Sequence, residues 1–100
     1  MYAVPPVDGM TGNVYFWKTE DGCVIVSLSI SKESEFVSWE QIAIMPVGYR
    51  PFGYRAFPGA GLYSDDGFII SITEDGQIST SSMPVGVTHL ASLFTFLASE

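Results

Sequence analysis

One hundred residues allow one compact domain and no more, and a chain of that length buries somewhat over about 60% of its unfolded surface, enough for a core without obligatory staples. The 47% apolar and 14% aromatic content argues against disorder, and a net charge of −7 with four Lys and Arg argues against a nucleic-acid partner or an anionic membrane surface, because phosphates need clustered cations. The charged fraction of 15% leaves apolar surface without a polar cover, one mark of a protomer that buries area against copies of itself.

Residues 1–13, with Pro5, Pro6, Gly9 and Gly12, read as an extended leader or linker. The opening Met-Tyr-Ala-Val-Pro-Pro has no basic end and no long apolar run, so it resembles neither a signal peptide nor a membrane span. A single folded domain is expected over 14–100. Val14 to Lys18 is aromatic and β-branched, Glu20-Asp21-Gly22 supplies a turn, and Cys23 to Ser31 continues as a strand. In that second strand Val26, Leu28 and Ile30 share one face while Ser27, Ser29 and Ser31 share the other. Cys23, the sole cysteine, has no internal disulfide partner and reads as a buried thiol.

Phe36 to Met45 has the pattern of a strand buried on both faces. Pro46 through Gly61 holds three prolines and four glycines, which predicts an ordered loop with a short extended piece near Tyr54 to Phe57. Asp65-Asp66-Gly67 closes a further turn. Phe68, Ile70 and Ile72 then alternate with Ile69, Ser71 and Thr73 before Glu74-Asp75-Gly76 turns the chain into Gln77 to Thr80, a hairpin. Two strings recur, Thr19 to Gly22 as Thr73 to Gly76, and Met45 to Gly48 as Met83 to Gly86; their unequal intervals indicate reused turn chemistry and not a tandem repeat. In Thr88 to Ala98 the spacing of Leu90, Leu93, Phe94 and Leu97 suits an amphipathic helix capped by Thr88, while Leu93 to Leu97 suits a closing strand with aromatics on one face and aliphatics on the other. The strand is the reading taken, because every other element is β.

Catalytic chemistry has little to work with. Nucleophilic acyl transfer would depend on His89, the only histidine, as base. A glycosidase needs two converging carboxylates, yet Asp8, Glu20, Asp21, Asp65, Asp66, Glu74 and Asp75 all lie beside glycine-marked turns, where hydrogen bonding to the backbone accounts for them. None of the acidic turns has the alternating spacing of a calcium loop, and one Cys with one His makes a poor transition-metal site. No catalytic residue, metal or cofactor is therefore expected. The suggestive surface chemistry is the aromatic and arginine content of the central loop. Aromatic faces stack on the apolar face of a pyranose while Arg and Asp bond its hydroxyls, and such pockets are often built from loops on a rigid sandwich. The candidate ligand-binding set is Trp39, Tyr49, Arg50, Tyr54, Arg55, Tyr63, Asp65 and Asp66. Packing of these rings under the loop or against a neighbouring subunit is the alternative, and Trp17 shares it.

The order of a strand ending at Met45, then Pro46-Val47-Gly48-Tyr49-Arg50-Pro51, a loop, the strand Phe68 to Thr73, the turn Glu74-Asp75-Gly76 and a second strand from Gln77 resembles the C-terminal receptor-binding domains of bacteriophage tail-fibre and baseplate proteins. The match covers Trp39 to Ala98. The resemblance implies an all-β, antiparallel β-sandwich, jelly-roll-like and assembled as a homotrimer at the virion tip. Its implied function is non-enzymatic attachment to host cell-surface polysaccharide or cell-wall glycan, with the leader contacting other virion tail proteins. A structural trimerisation, capping or decoration domain without its own ligand is the alternative. The aromatic-rich stretch Phe52 to Phe57 is longer than the resemblance leads one to expect.

Overall fold

In the computed structural model, which describes residues 2–61, 67–83 and 86–99, the described elements are all strands. In chain order they are β1 (Tyr2–Val4), β2 (Met10–Lys18), β3 (Cys23–Lys32), β4 (Gln41–Ile44), β5 (Arg55–Gly61), β6 (Gly67–Ile72), β7 (Gln77–Ser82) and β8 (His89–Leu97). All pairings between them are antiparallel, in the order β1-β2-β3-β8-β5-β6-β7-β4. The ladder is continuous but uneven. β3 and β8 pair along their whole length, from Cys23↔Leu97 to Ser31↔His89, whereas β5 and β8 meet only at Ala60↔Ala91 and Gly61↔Leu90. That short junction is a corner, across which the ladder divides into two four-stranded antiparallel layers in a sandwich-like arrangement. The second layer, β5-β6-β7-β4, is a Greek key, with β4 returning beside β7. Opposite the corner, Val7 N donates to the Ile42 carbonyl at 2.8 Å, so the chain just after β1 covers the open edge of β4.

Alternation explains why both layers face one core. Val24, Val26, Leu28 and Ile30 of β3, Phe94 and Phe96 of β8, Phe68, Ile70 and Ile72 of β6 and Ile78 of β7 are all buried in a single cluster. The closing segment is a strand for the same reason: β8 has the full edge of β3 to pair with, and Phe94 and Phe96 go inward while Leu93 and Leu97 stay outside. Tertiary pairing decides what the helical spacing of its leucines left open.

The two Thr-Glu-Asp-Gly strings make the same turn. Thr19 N donates to the Cys23 carbonyl at 2.9 Å, Gly22 N to the Thr19 carbonyl at 3.0 Å and Cys23 N to Thr19 Oγ1 at 3.1 Å; the equivalents from Thr73, Gly76 and Gln77 measure 3.1, 2.8 and 3.3 Å. Gly22 and Gly76 both sit at φ +85°, the left-handed position that closes a three-residue hairpin loop.

Four expectations are corrected. The segment read as a leader is part of the sheet: Tyr2–Val4 pairs with Val14–Phe16, and β2 begins at Met10. Prolines 5 and 6 interrupt only the link between the two strands. Phe36 to Met45 is not one strand, since only Gln41–Ile44 is extended and paired, and Val37, Trp39 and Ile44 are exposed. Continuous β5 crosses Pro58, which pairs with Ile69 where β8 has not yet joined the other side, so the missing proline N–H breaks no ladder. Cys23 is half-buried and lies on the outer side of β3, the parity of Ile25 and not of Val24. The turn expected at Asp65-Asp66 lies outside the described residues.

Candidate functional site

The central motif Met45 to Pro51 closes one end of the sandwich. Met45 N donates to the Gly76 carbonyl at 2.8 Å, Arg50 Nε returns to the Met45 carbonyl at 2.8 Å, and Ser99 N donates to the Arg50 carbonyl at 2.8 Å, while Pro51 bridges to Ala98. Arg50 thus ties the β4 end, the β6–β7 turn and the terminal strand together. Tyr49 is also engaged. Its ring meets Phe16 edge-on at 4.8 Å and Tyr2 at 5.9 Å, and Lys18 Nζ lies 5.3 Å from its centroid while bonding the Gly48 carbonyl. Desolvation of the half-buried phenol, with Tyr2 beside it, raises the Tyr49 pKa above the usual tyrosine value.

Trp39 is placed quite differently. It lies in the loop between β3 and β4, which is held from below at several points. Phe36 is buried and its N–H donates to the Val87 carbonyl at 2.7 Å; Gly86 N donates to Glu35 Oε2 and Met83 N to Ser38 Oγ. The fully buried Thr80 hydroxyl donates to the Val37 carbonyl at 2.5 Å and accepts from Glu40 N at 2.8 Å. Glu40 accepts from Val37 N through Oε1 and pairs with Lys32 through Oε2. On this base Trp39 adopts φ +65°, the one non-glycine residue of the described chain at positive φ, and the residue is 68% exposed. A bulky side chain in that conformation costs energy, and here no burial repays it.

Tyr54 reaches the same strand. Trp39 N donates to the Thr80 carbonyl at 2.7 Å, and the Tyr54 hydroxyl lies 3.2 Å from Oγ of the next residue, Ser81. The backbone of Trp39 and the hydroxyl of Tyr54, both residues exposed, are thus tied to successive residues of β7. Arg55 Nη1 donates to the Tyr54 backbone carbonyl at 3.0 Å. Tyr63, Asp65 and Asp66 lie outside the described residues. Of the expected set the structure ties Trp39 and Tyr54 to β7, leaves Arg55 at the start of β5 opposite Ile72 of β6, and commits Tyr49 and Arg50 to the end of the sandwich. Sequence reasoning missed Val37, exposed beside Trp39, and the supporting pair Thr80 and Glu40. The alternation of Phe36 to Glu40 fits a strand well enough to hide a loop whose shape depends on a threonine 40 residues away.

Elsewhere the chemistry is thinner. Ser29 Oγ and His89 Nε2 stand 3.3 Å apart, but on the flat outer side of β3 and β8, whose outward positions carry no carboxylate to orient the ring. Among the described residues no group of three or more His, Cys, Asp and Glu is placed to hold a metal ion. A groove of about 790 Å3 opens between Gly9–Thr11 and Ser31–Ser34; its lining has no aromatic ring, so it offers no stacking surface. No protein-family model matches the chain, and no curated protein matches it either.

Proposed function

We propose that this chain is a non-enzymatic receptor-binding domain of a bacteriophage tail fibre or baseplate, a homotrimer at the virion tip that attaches to host cell-surface saccharides through Trp39 and Tyr54. The observation that carries this reading is Trp39, held at φ +65° with its ring in solvent. Strain kept without packing in return is characteristic of functional positions, and what an exposed indole offers is a broad apolar face with a polar edge. A pyranose matches it, with C–H groups for the ring and hydroxyls for Tyr54, Ser81 and Arg55. A phosphate-rich ligand matches poorly. Lys32 is paired with Glu40, Arg50 with the Met45 carbonyl and Lys18 with the Gly48 carbonyl, and the chain as a whole carries −7. Three copies on one tip would multiply weak single-site affinity through effective concentration.

The test is binding of the isolated protein to a glycan array and to host envelope fractions, side by side with Trp39→Ala. Retention by wild type and loss in the variant is the expected result; absence of wild-type binding to every fraction removes the proposal. A structural domain without a ligand is the second reading, favoured by the uncharged outer face of β2, β3 and β8. It predicts that Trp39→Ala leaves all envelope interactions as they were.

A further inference from the structure

The outward positions of β7 are Gln77, Ser79 and Ser81, since Ile78 and Thr80 between them are fully buried. Beside this row β4 places Gln41 opposite Ser79 and Ile44 opposite Gln77, and β6 places Ser71 opposite Ser79. None of these residues is charged, in a chain with eleven acids and four Lys and Arg. Tyr54 lies across the same face. It precedes β5, its hydroxyl lies 3.2 Å from Ser81 Oγ on β7, and β6 runs between those two strands, so the ring crosses the outer side of β6. That cover accounts for Ser71, outward by parity and yet 2% exposed. Ser81 thus has Tyr54 on its β6 side, while the backbone of Trp39, leading into β4, is bonded to the residue before it. Away from this pair the row runs through Ser79 to a second polar contact, Gln77 Nε2 donating to Gln41 Oε1 at 3.3 Å. The contact leaves the Gln77 side-chain oxygen to accept and the Gln41 amide nitrogen to donate.

We propose that the outward row of β7 extends the Trp39–Tyr54 site into a subsite for an uncharged, extended oligosaccharide, with Gln41 and Gln77 reading two neighbouring hydroxyls on a sugar unit beyond the one at Trp39. The proposal rests on the saccharide reading and narrows it to one class of ligand. Charge selects that class. An acidic glycan finds no cation on this row in a molecule of −7, and Arg55 stands apart from it, at the start of β5 opposite Ile72. Hydrogen bonding selects the same class: adjacent pyranose hydroxyls, one donating and one accepting, match an oxygen that accepts and a nitrogen that donates on two side chains already in contact. Ile44, exposed opposite Gln77, supplies an apolar neighbour for the C–H groups of that unit. Length calls for an oligomer and not a single sugar. Four strand residues separate Ser81 from Gln77, about 14 Å at about 3.4 Å each, and the small side chain of Ser79 between them leaves a low path along the strand.

The test is a glycan array carrying neutral hexose and N-acetylhexosamine monomers, dimers and trimers beside sialylated, uronic-acid and phosphorylated oligomers, probed with the full chain. Wild type is expected to hold neutral trimers at least about tenfold more tightly than monomers, to prefer them to every acidic glycan, and to bind them equally at low and high salt. Gln41→Ala and Gln77→Ala should each lose about fivefold to tenfold on trimers and nothing on monomers, with an unchanged circular dichroism spectrum, since neither side chain is buried. Trp39→Ala should weaken every length alike. Equal affinity for monomer and trimer, a preference for acidic glycans, or trimer binding untouched in both glutamine variants overturns the subsite, and if Trp39→Ala still abolishes binding the saccharide reading stands without it. A wild type that binds no glycan removes both.

Discussion

Thr80 and Glu40 hold each other through two hydrogen bonds, Glu40 N donating to Thr80 Oγ1 at 2.8 Å and Thr80 N to the Glu40 carbonyl at 2.9 Å. The same hydroxyl donates onward to the Val37 carbonyl, so one buried side chain fixes both ends of the tetrapeptide that contains Trp39. Thr80→Val keeps the shape and removes the oxygen, leaving Glu40 N and the Val37 carbonyl without their partner. A cost of about 1–3 kcal/mol is expected, seen as a lower urea midpoint at unchanged slope. Saccharide binding should weaken too, because the loop that presents Trp39 loses its support. A variant as stable as wild type would show that the hydroxyl does not hold this loop.

The duplicated Thr-Glu-Asp-Gly turn offers an internal control. Gly22 and Gly76 share φ +85°, but a Cβ on Gly22 meets nothing within 4 Å, whereas one on Gly76 lies 2.6 Å from both Arg50 Nε and the Met45 carbonyl. Gly22→Ala is expected to cost about 1–2 kcal/mol, the left-handed strain alone. Gly76→Ala adds the displacement of the Arg50–Met45 hydrogen bond and should cost about 1 kcal/mol more. Equal midpoints for the two variants in chemical denaturation would contradict the packing of Arg50 against this turn.

These contrasts show where the sequence was legible and where it was not. Period-two alternation identified the buried faces of β3 and β6 directly, since Val26, Leu28, Ile30, Phe68, Ile70 and Ile72 needed only local pattern to be placed. The two Thr-Glu-Asp-Gly turns were legible because a glycine at φ +85° follows from chemistry confined to five residues. What stayed hidden depends on distant partners. Tyr2–Val4 becomes a strand only because β2 offers it Val14–Phe16, and β5 runs through Pro58 only because that stretch lacks a second neighbour. Arg50 and Trp39 drew equal attention as exposed-looking polar and aromatic residues. Burial separated them: one is drawn into the end of the sandwich by Met45, the other is lifted out by Thr80.

Tyr49 gives the protein a pH dependence on the alkaline side. Its folded pKa is raised, first by desolvation and then by Tyr2, so the folded state favours the neutral phenol. The unfolded chain ionises at the ordinary tyrosine value of about 10, releasing its proton before the folded one does. Stability associated with Tyr49 is therefore complete below about pH 10 and is lost as pH rises through the higher folded value. Absorbance titration at alkaline pH should show a phenol ionising above the ordinary tyrosine value that is absent from Tyr49→Phe, and Tyr2→Phe should lower the midpoint of that ionisation. No change on removing the Tyr2 hydroxyl would leave Tyr2 without a part in the shift.

Trp39→Gly separates strain from packing. Glycine accepts φ +65° freely, so the substitution relieves about 1–2 kcal/mol of left-handed strain and adds about 0.5–1 kcal/mol of backbone entropy lost on folding. The net effect on stability is expected to be near zero or slightly favourable, in contrast to the about 3–5 kcal/mol lost when a core tryptophan is truncated to alanine. Binding to envelope saccharide should nevertheless fall at least about tenfold, equivalent to 1.4 kcal/mol. Denaturation and glycan binding measured on the same preparation decide the matter. If Trp39→Gly unfolds the domain, the ring is part of the framework and the site has been misplaced. If it leaves both stability and binding unchanged, the strain at Trp39 serves neither the fold nor this ligand.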